Sequence, residues 1–348
     1  MAAAETDVRV GPLEAGLGAI AELAGGRRVP LVSDPTVWAL HGRRLADIAL
    51  DPPILVPPGE SAKSWEVLAA IVDSLSALGV ERGTPVIALG GGSVGDVAGL
   101  AAALYKRGCP IVHVPTTLLA QADSAIGGKT AIDSGGIKNL AGLFHPPALV
   151  LADPDLVDTL DRRQLAAGYA EVVKYGLIDD PVFFAWCESN GRALLSGDRS
   201  ARDFAVRNAV RSKLRLVRDD PLDRGGTRTL LNLGHSFAHA IESEAGLGAL
   251  LHGEAVAIGL VLAFRFSAFL RLAPPADAER IAAHLADAGL PTRLGDVGLR
   301  GRALLRWIDQ DKKNRAGGLT LVLAHGIGRA FVMRAADRAA LVQFLAAA

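Results

Sequence analysis

Short apolar runs closed by turn residues recur through the first half of the chain: VPLVSD, ILVPPGE, VIALGGG, IVHVPTT and ALVLADP. Most are followed by a segment of helical period. That alternation predicts a parallel sheet covered by helices. From about Leu156 onward the period is helical and rich in Ala, Leu and Arg. An α/β domain over residues 1–155 and a mostly α-helical one over 156–348 are therefore expected. Near the C-terminus LTLVLA and RAFVM flank Gly326-Ile327-Gly328 and read as a hairpin. The longest apolar window, Ala255 to Phe264, stops at Arg265. It is too short for a membrane span and fits a buried helix.

Charge narrows the partners. The 37 basic and 37 acidic side chains balance, so no bulk field favours nucleic acid or an anionic membrane. An anionic ligand would need a local cluster of cations. Cys109 and Cys187 have no short metal-binding spacing and suit a reducing cytoplasm. Glu5 and Asp7, with no basic region before an apolar run, give no sign of a secretory leader.

In parallel sheets ligands gather at the carboxyl ends of the strands. Those ends here carry Asp34, Glu60 with Lys63, Gly90 to Asp96, and Thr116 with Thr117. The glycines of GGGSVGD let backbone approach a diphosphate at a helix N-terminus. The run differs from the usual dinucleotide fingerprint, because it follows a late strand with no acidic residue at the end of the next. An atypical, Rossmann-like dinucleotide site is expected. Downstream, Asp123, Lys129, Lys138 and Asn139, with Arg107 before them, collect cations and donors around glycine turns. Solvated charge is the simpler account of any one lysine. Together they suggest a pocket for phosphate or carboxylate. His113 and His145 sit in apolar runs and are expected in the core or at its boundary.

The stretch RTLLNLGHSFAHAIESEAGLGALLHGE reads as a helix, a glycine turn and the start of a second helix. His235 and His239 are four apart on one helical face, and His252 opens the next helix. Arg228 and Asn232 are expected on the His235 face. Alone, such a pair is more often capped or core histidine than metal ligand. Glu171 and Lys174 change the balance, for they lie three apart in the mostly apolar GYAEVVKYGLI. A buried carboxylate needs a partner. A metal on Glu171, His235 and His252 would supply one, and two His with one carboxylate is a catalytic zinc pattern. His239 would then be a hydrogen-bonding or acid–base residue. Arg207, Arg211, Arg215 and Arg218 suggest a solvated face with Lys213 on another side; His284 and His325 are assigned to surface or loop.

Assembled, GGGSVGDVAG, VPTTLLAQADSAIGGKT, KNLAG, GYAEVVKYG, LLNLGHSFAHAIE, LHGEAVAIG and DKK resemble, in order, the 3-dehydroquinate synthases of the sugar phosphate cyclase superfamily. The resemblance implies an NAD-binding N-terminal domain, a helical C-terminal one, and a site in the cleft between them. It also implies a homodimeric, NAD- and zinc-dependent lyase, with cobalt suiting the same ligands. Its reaction would turn 3-deoxy-D-arabino-heptulosonate 7-phosphate into 3-dehydroquinate and phosphate, a step of the shikimate pathway. The chemistry would be transient oxidation, elimination, reduction and internal aldol closure. By position Glu171, His235 and His252 match zinc ligands. Asp123, Lys129, Asn139, Lys174, Lys213, Arg228, Asn232, His239 and Lys312 (or Lys313) match substrate contacts, and Arg107 one that reaches a neighbouring subunit. Asp34, Glu60, Lys63, Gly91, Gly92, Asp96, Thr116, Thr117, Lys129, Lys138, Leu156, Thr159 and Leu160 match nucleotide contacts.

The chain departs from the family pattern at Thr36 and Asp133, each in place of a common Asn, at Ala125 for Ser and at Asp161 for Pro. The segment after Lys213 is about one residue longer, with Pro221 for Glu, which bears most on Lys213. Another cyclase of the superfamily, making a cyclitol, is one alternative. A metal-dependent polyol dehydrogenase of related fold is a second, and a degenerate binding protein a third.

Overall fold

The computed structural model describes residues 6–246, 248–310 and 318–348. It divides into two compact units, Met1–Asp161 with Arg202–Leu214 and Arg162–Ala201 with Arg215–Ala348.

The first unit runs β1 (Asp7–Val10), α1 (Leu17–Ala24), β2 (Leu31–Ser33), α2 (Pro35–His41), β3 (Ile54–Leu55) and α3 (Trp65–Ala77). It continues through β4 (Val86–Gly90), α4 (Gly92–Leu104), β5 (Ile111–Pro115), a ribbon of β6 (Lys129–Ser134) and β7 (Ile137–Phe144), and β8 (Leu149–Ala152). Six strands form one sheet in the order β1-β8-β5-β4-β2-β3, every neighbour parallel. Successive residues of a strand face opposite ways, so a sheet covered on both sides needs apolar residues at every position. β4 meets this: Val86 and Ala88 pack with Leu68, Ile71, Val97 and Leu100 of α3 and α4. Ile87 and Leu89 face Leu17, Ile20 and Ala24 of α1 on the other side.

All five strands expected from apolar runs are present. β1 and the ribbon were not expected. DVRV is only four residues long. The ribbon mixes polar and apolar residues and is largely exposed along β7, so neither announces itself by hydrophobicity.

The second unit holds α5 (Arg162–Ile178), α6 (Pro181–Leu195), the ends of α7 (Arg199–Arg218), α8 (His235–Ala245), α9 (His252–Phe269) and α10 (Pro275–Asp287). α11 (Gly301–Gln310), the antiparallel hairpin β9 (Leu319–Ala324) and β10 (Ala330–Ala336), and α12 (Arg338–Ala347) complete it. α9 is long and apolar enough to cross a membrane, yet 78% of it is buried. It packs on α5, α8, α10 and β9, which makes it the central helix of this unit. α8 approaches it closely at two glycines. A Cβ on Gly234 would lie 2.7 Å from Leu260 N, and one on Gly259 would lie 2.3 Å from Gly234 O.

The middle of α7, Arg202–Leu214, belongs with the first unit. There Arg202 pairs with Asp158 and Lys213 with Asp123. Two expectations need correction. Arg228 and Asn232 do not share a helix with His235. They occupy a separate 3-10 turn, Thr227–Asn232, and Gly234, at φ +77°, sets a new helix start. His284 lies within α10, not on a loop, and is only partly exposed. Its Nε2 is 3.0 Å from Tyr169 Oη.

Candidate metal centre and flanking sites

Three helices of the second unit bring Glu171, His235 and His252 together. Glu171 lies on α5 with no exposed surface, in a helix buried from Leu165 to Ile178. His235 opens α8 and His252 opens α9. His235 Nε2 is 3.3 Å and His252 Nε2 3.4 Å from Glu171 Oε1. One ligand atom from each residue falls within 4.8 Å of the others. Donors bound at about 2.0–2.1 Å to a tetrahedral ion stand about 3.3–3.4 Å apart. Among the described residues, neither Glu171 oxygen accepts a hydrogen bond of good geometry despite complete burial, although Lys174 pairs with Oε2. A carboxylate so placed, with two imidazoles aimed at it, fits zinc or cobalt.

The other face of each imidazole is also held. His235 Nδ1 meets Leu233 O at 3.1 Å, and His252 Nδ1 meets Glu242 Oε1 at 3.3 Å. Each partner leaves Nε2 turned toward Glu171. The start of α9 is clamped in turn. Glu254 accepts the Leu251 N–H at 2.9 Å and takes two bonds from Arg163, at 2.6 and 2.8 Å.

Burial alone would raise the Glu171 pKa, but Lys174 and His235 hold it well below the usual carboxylate range. Lys174 Nζ stands 2.6 Å from Glu171 Oε2. Burial lowers His235, which keeps it neutral. Burial would lower His252 too, but Glu242 and Glu171 outweigh it and raise that group to about 10. His239, one turn along α8, has its ring 5.6 Å from that of His235 and 6.3 Å from that of His252. It borders the trio without joining it, and its side is exposed. Arg228 is buried and donates to Pro221 O; Asn232 Nδ2 donates to Thr229 O at 3.0 Å. The loop before Arg228 is ordered by Asp220, which accepts the N–H groups of Arg224 and Gly226 at 2.8 and 2.9 Å.

In the first unit the expected nucleotide residues gather at the carboxyl edge of the sheet. Asp34 follows β2 and caps α2 through Thr36 N and Val37 N. Gly91 and Gly92 open α4, with Asp96 in its second turn. Thr116 and Thr117 follow β5, and Thr159 ends the turn after β8, bonded to His41 Nε2 at 3.0 Å. Glu60 and Lys63 follow β3. Lys63 Nζ donates to Asp96 Oδ2 at 2.8 Å and to Asn139 Oδ1, and Lys138 Nζ is 3.7 Å from Glu60. Leu160 closes the Thr159 turn, whereas Leu156 is fully buried in the apolar layer and presents no surface. Lys129 lies exposed on β6. Asp123 pairs with Lys213 at 2.9 Å. Arg107 ends α4's terminal turn in a left-handed conformation. Lys312 and Lys313 lie outside the described residues.

Residues 53–167 match the family model described as 3-dehydroquinate synthase N-terminal. The model described as 3-dehydroquinate synthase C-terminal matches residues 168–314, which include the whole histidine and glutamate cluster. The chain belongs to the 3-dehydroquinate synthase family. The 3-dehydroquinate synthase of Caulobacter vibrioides is 52% identical, covering 97% of this chain and 95% of the relative. That of Rhodospirillum rubrum is 51% identical over 94% and 88%. Among solved structures, a 2-epi-5-epi-valiolone synthase from Streptomyces hygroscopicus with NAD+ and Zn2+ bound is 32% identical. It superposes with a TM-score of 0.90, covering 99% of this chain and 97% of that one.

Within this 3-dehydroquinate synthase family member, Glu242 is the main site residue that sequence reading missed. Its signal was present: His235, His239 and Glu242 follow each other by four and three and so share one face of α8.

Proposed function

We propose that Glu171, His235 and His252 hold the divalent metal of this enzyme and that the residues at the sheet edge hold its NAD. The enzyme is a phosphate-eliminating lyase of the 3-dehydroquinate synthase type. It converts 3-deoxy-D-arabino-heptulosonate 7-phosphate to 3-dehydroquinate and phosphate, a step of the shikimate pathway. The observation that carries the metal assignment is the spacing of two imidazole nitrogens, 3.3 and 3.4 Å from one buried carboxylate oxygen.

When bound, the metal lowers the pKa of a substrate hydroxyl and orients it, and NAD supplies a hydride acceptor that is regenerated each turnover. The chain's own residues do the rest. Glu171 stays ionised through Lys174 and His235. Leu233 O and Glu242 fix the imidazoles. Lys129, Asn139, Arg107 and Lys213 of the first unit, and His239 and Arg228 of the second, are the groups suited to the substrate's phosphate and carboxylate. Asp123 sets the Lys213 ammonium by its 2.9 Å pair. Gly91 and Gly92 offer backbone N–H groups to the diphosphate of the nucleotide.

A homodimer in the cytoplasm completes the reading. The exposed apolar residues of β7, Ile137, Leu140, Leu143 and Phe144, support self-association. The fully buried Arg228 favours a substrate with a carboxylate over the cyclitol precursors of other cyclases.

The test is incubation with the heptulosonate phosphate, catalytic NAD and zinc. Phosphate and 3-dehydroquinate are expected in equal amounts with no net NADH. Net NADH without phosphate release would mark a polyol dehydrogenase instead. Turnover of a sugar phosphate lacking the acid would mark a cyclitol-forming enzyme.

A further inference from the structure

The ribbon of β6 and β7 loses register at one point. Ile132 pairs with Ala141 and Ser134 with Ile137, so Lys138, Asn139 and Leu140 stand opposite Asp133 alone. Such a bulge bends the strand, re-aims its side chains and leaves backbone groups outside the ladder. Asp133 supplies the missing bond with its side chain. Its Oδ1 accepts the Asn139 N–H at 2.8 Å, and its own N–H donates to Lys63 O at 2.9 Å. Asn139 is thereby held at φ +52°, a left-handed conformation that Asn tolerates better than most residues.

Two neighbouring side chains follow from that turn. The Asn139 Oδ1 takes the Lys63 ammonium, which is almost fully buried and also bonded to Asp96. Lys138 Nζ comes within 3.7 Å of Glu60. Asp133 itself belongs to none of the assigned contact sets. An Asn at this position would offer the same Oδ1 acceptor without the charge, so the two properties can be tested apart.

We propose that Asp133 is a positioning residue for the substrate's phosphate end, acting through Asn139. It fixes the backbone of Asn139 at the bulge and so sets the direction in which the Asn139 amide leaves the ribbon. This rests on the assignment of Asn139 to the substrate given above.

The experiment measures KM for the heptulosonate phosphate, KM for NAD, kcat and zinc content in holoenzyme variants. Asp133→Ala removes the acceptor and is expected to raise substrate KM about tenfold, the loss of one hydrogen bond that orders a contact. The kcat and zinc content stay near those of the parent. Asp133→Asn keeps the acceptor without the charge and restores the parental KM. Asp133→Glu keeps the charge but displaces the acceptor, raises KM, and carries the test should the alanine variant not fold. In an Asn139→Ala background, Asp133→Ala adds nothing further. A raised KM for Asn139→Ala with no effect of either Asp133→Ala or Asp133→Glu would overturn the positioning role alone. Equal damage from Asp133→Asn and Asp133→Ala would overturn it too, by assigning the effect to charge. An Asn139→Ala enzyme with parental KM would instead remove Asn139 from the substrate site.

Discussion

Glu242 Oε1 and His252 Nδ1 stand 3.3 Å apart, one on α8 and the other at the first residue of α9. The pairing joins the two helices behind the metal trio and turns His252 Nε2 toward Glu171. Outer partners of this kind fix tautomer and ring orientation, and losing one weakens metal binding about 10–100-fold. Glu242→Gln is accordingly expected to weaken zinc by that factor in competition with a chelator, while NAD binding is unchanged. Unaltered zinc affinity would leave Glu242 as packing only.

His252→Ala is expected to abolish zinc retention and turnover together, since it deletes one of only two imidazoles in the trio. Metal analysis after dialysis reads the first and phosphate release the second. NAD binding, followed by fluorescence, should persist because the sheet edge is untouched. A fully active, zinc-depleted enzyme would take His252 out of the metal site.

Gly234 is the point at which α8 begins against α9. It combines φ +77° with a would-be Cβ only 2.7 Å from Leu260 N. Gly234→Ala therefore meets both a backbone penalty and overpacking, together about 2–4 kcal/mol. A lowered urea midpoint with weaker zinc is expected, because His235 is the next residue. Parental stability would show that α8 can shift without loss.

His113 lies within β5 and is 5% exposed, and a Cβ on Gly95 of α4 would come within 3.4 Å of its ring. Burial, with His145 adding to it, pushes its pKa down to about 4. The unfolded chain takes up this proton near an ordinary pKa of about 6.5. Between those two values the unfolded state holds more protons, so stability falls as pH falls through that window and is retained above it. His113→Gln should flatten the decline by up to ~3 kcal/mol in urea titrations from pH 7 to 4. Equal slopes in both proteins would place the acid sensitivity elsewhere.

The amino-acid sequence alone determined the strands that bury both faces, the glycine turn opening α4, and the candidates Glu171, His235 and His252. Those signals are local: apolar runs, glycine positions and helical spacing are visible within a few residues. What tertiary structure decided was which faces meet. Spacing puts Glu242 on the His235 face, but only the crossing of α8 with α9 sets it against His252. Lys213 looked like one charge on a helix until the middle of α7 packed with the first unit and paired it with Asp123. The ribbon escaped notice because its strands are mixed in polarity and its order comes from cross-strand bonds, Asp133 to Asn139 among them. A sequence records which side of an element a residue occupies, whereas its partner across space depends on packing between elements far apart in the chain.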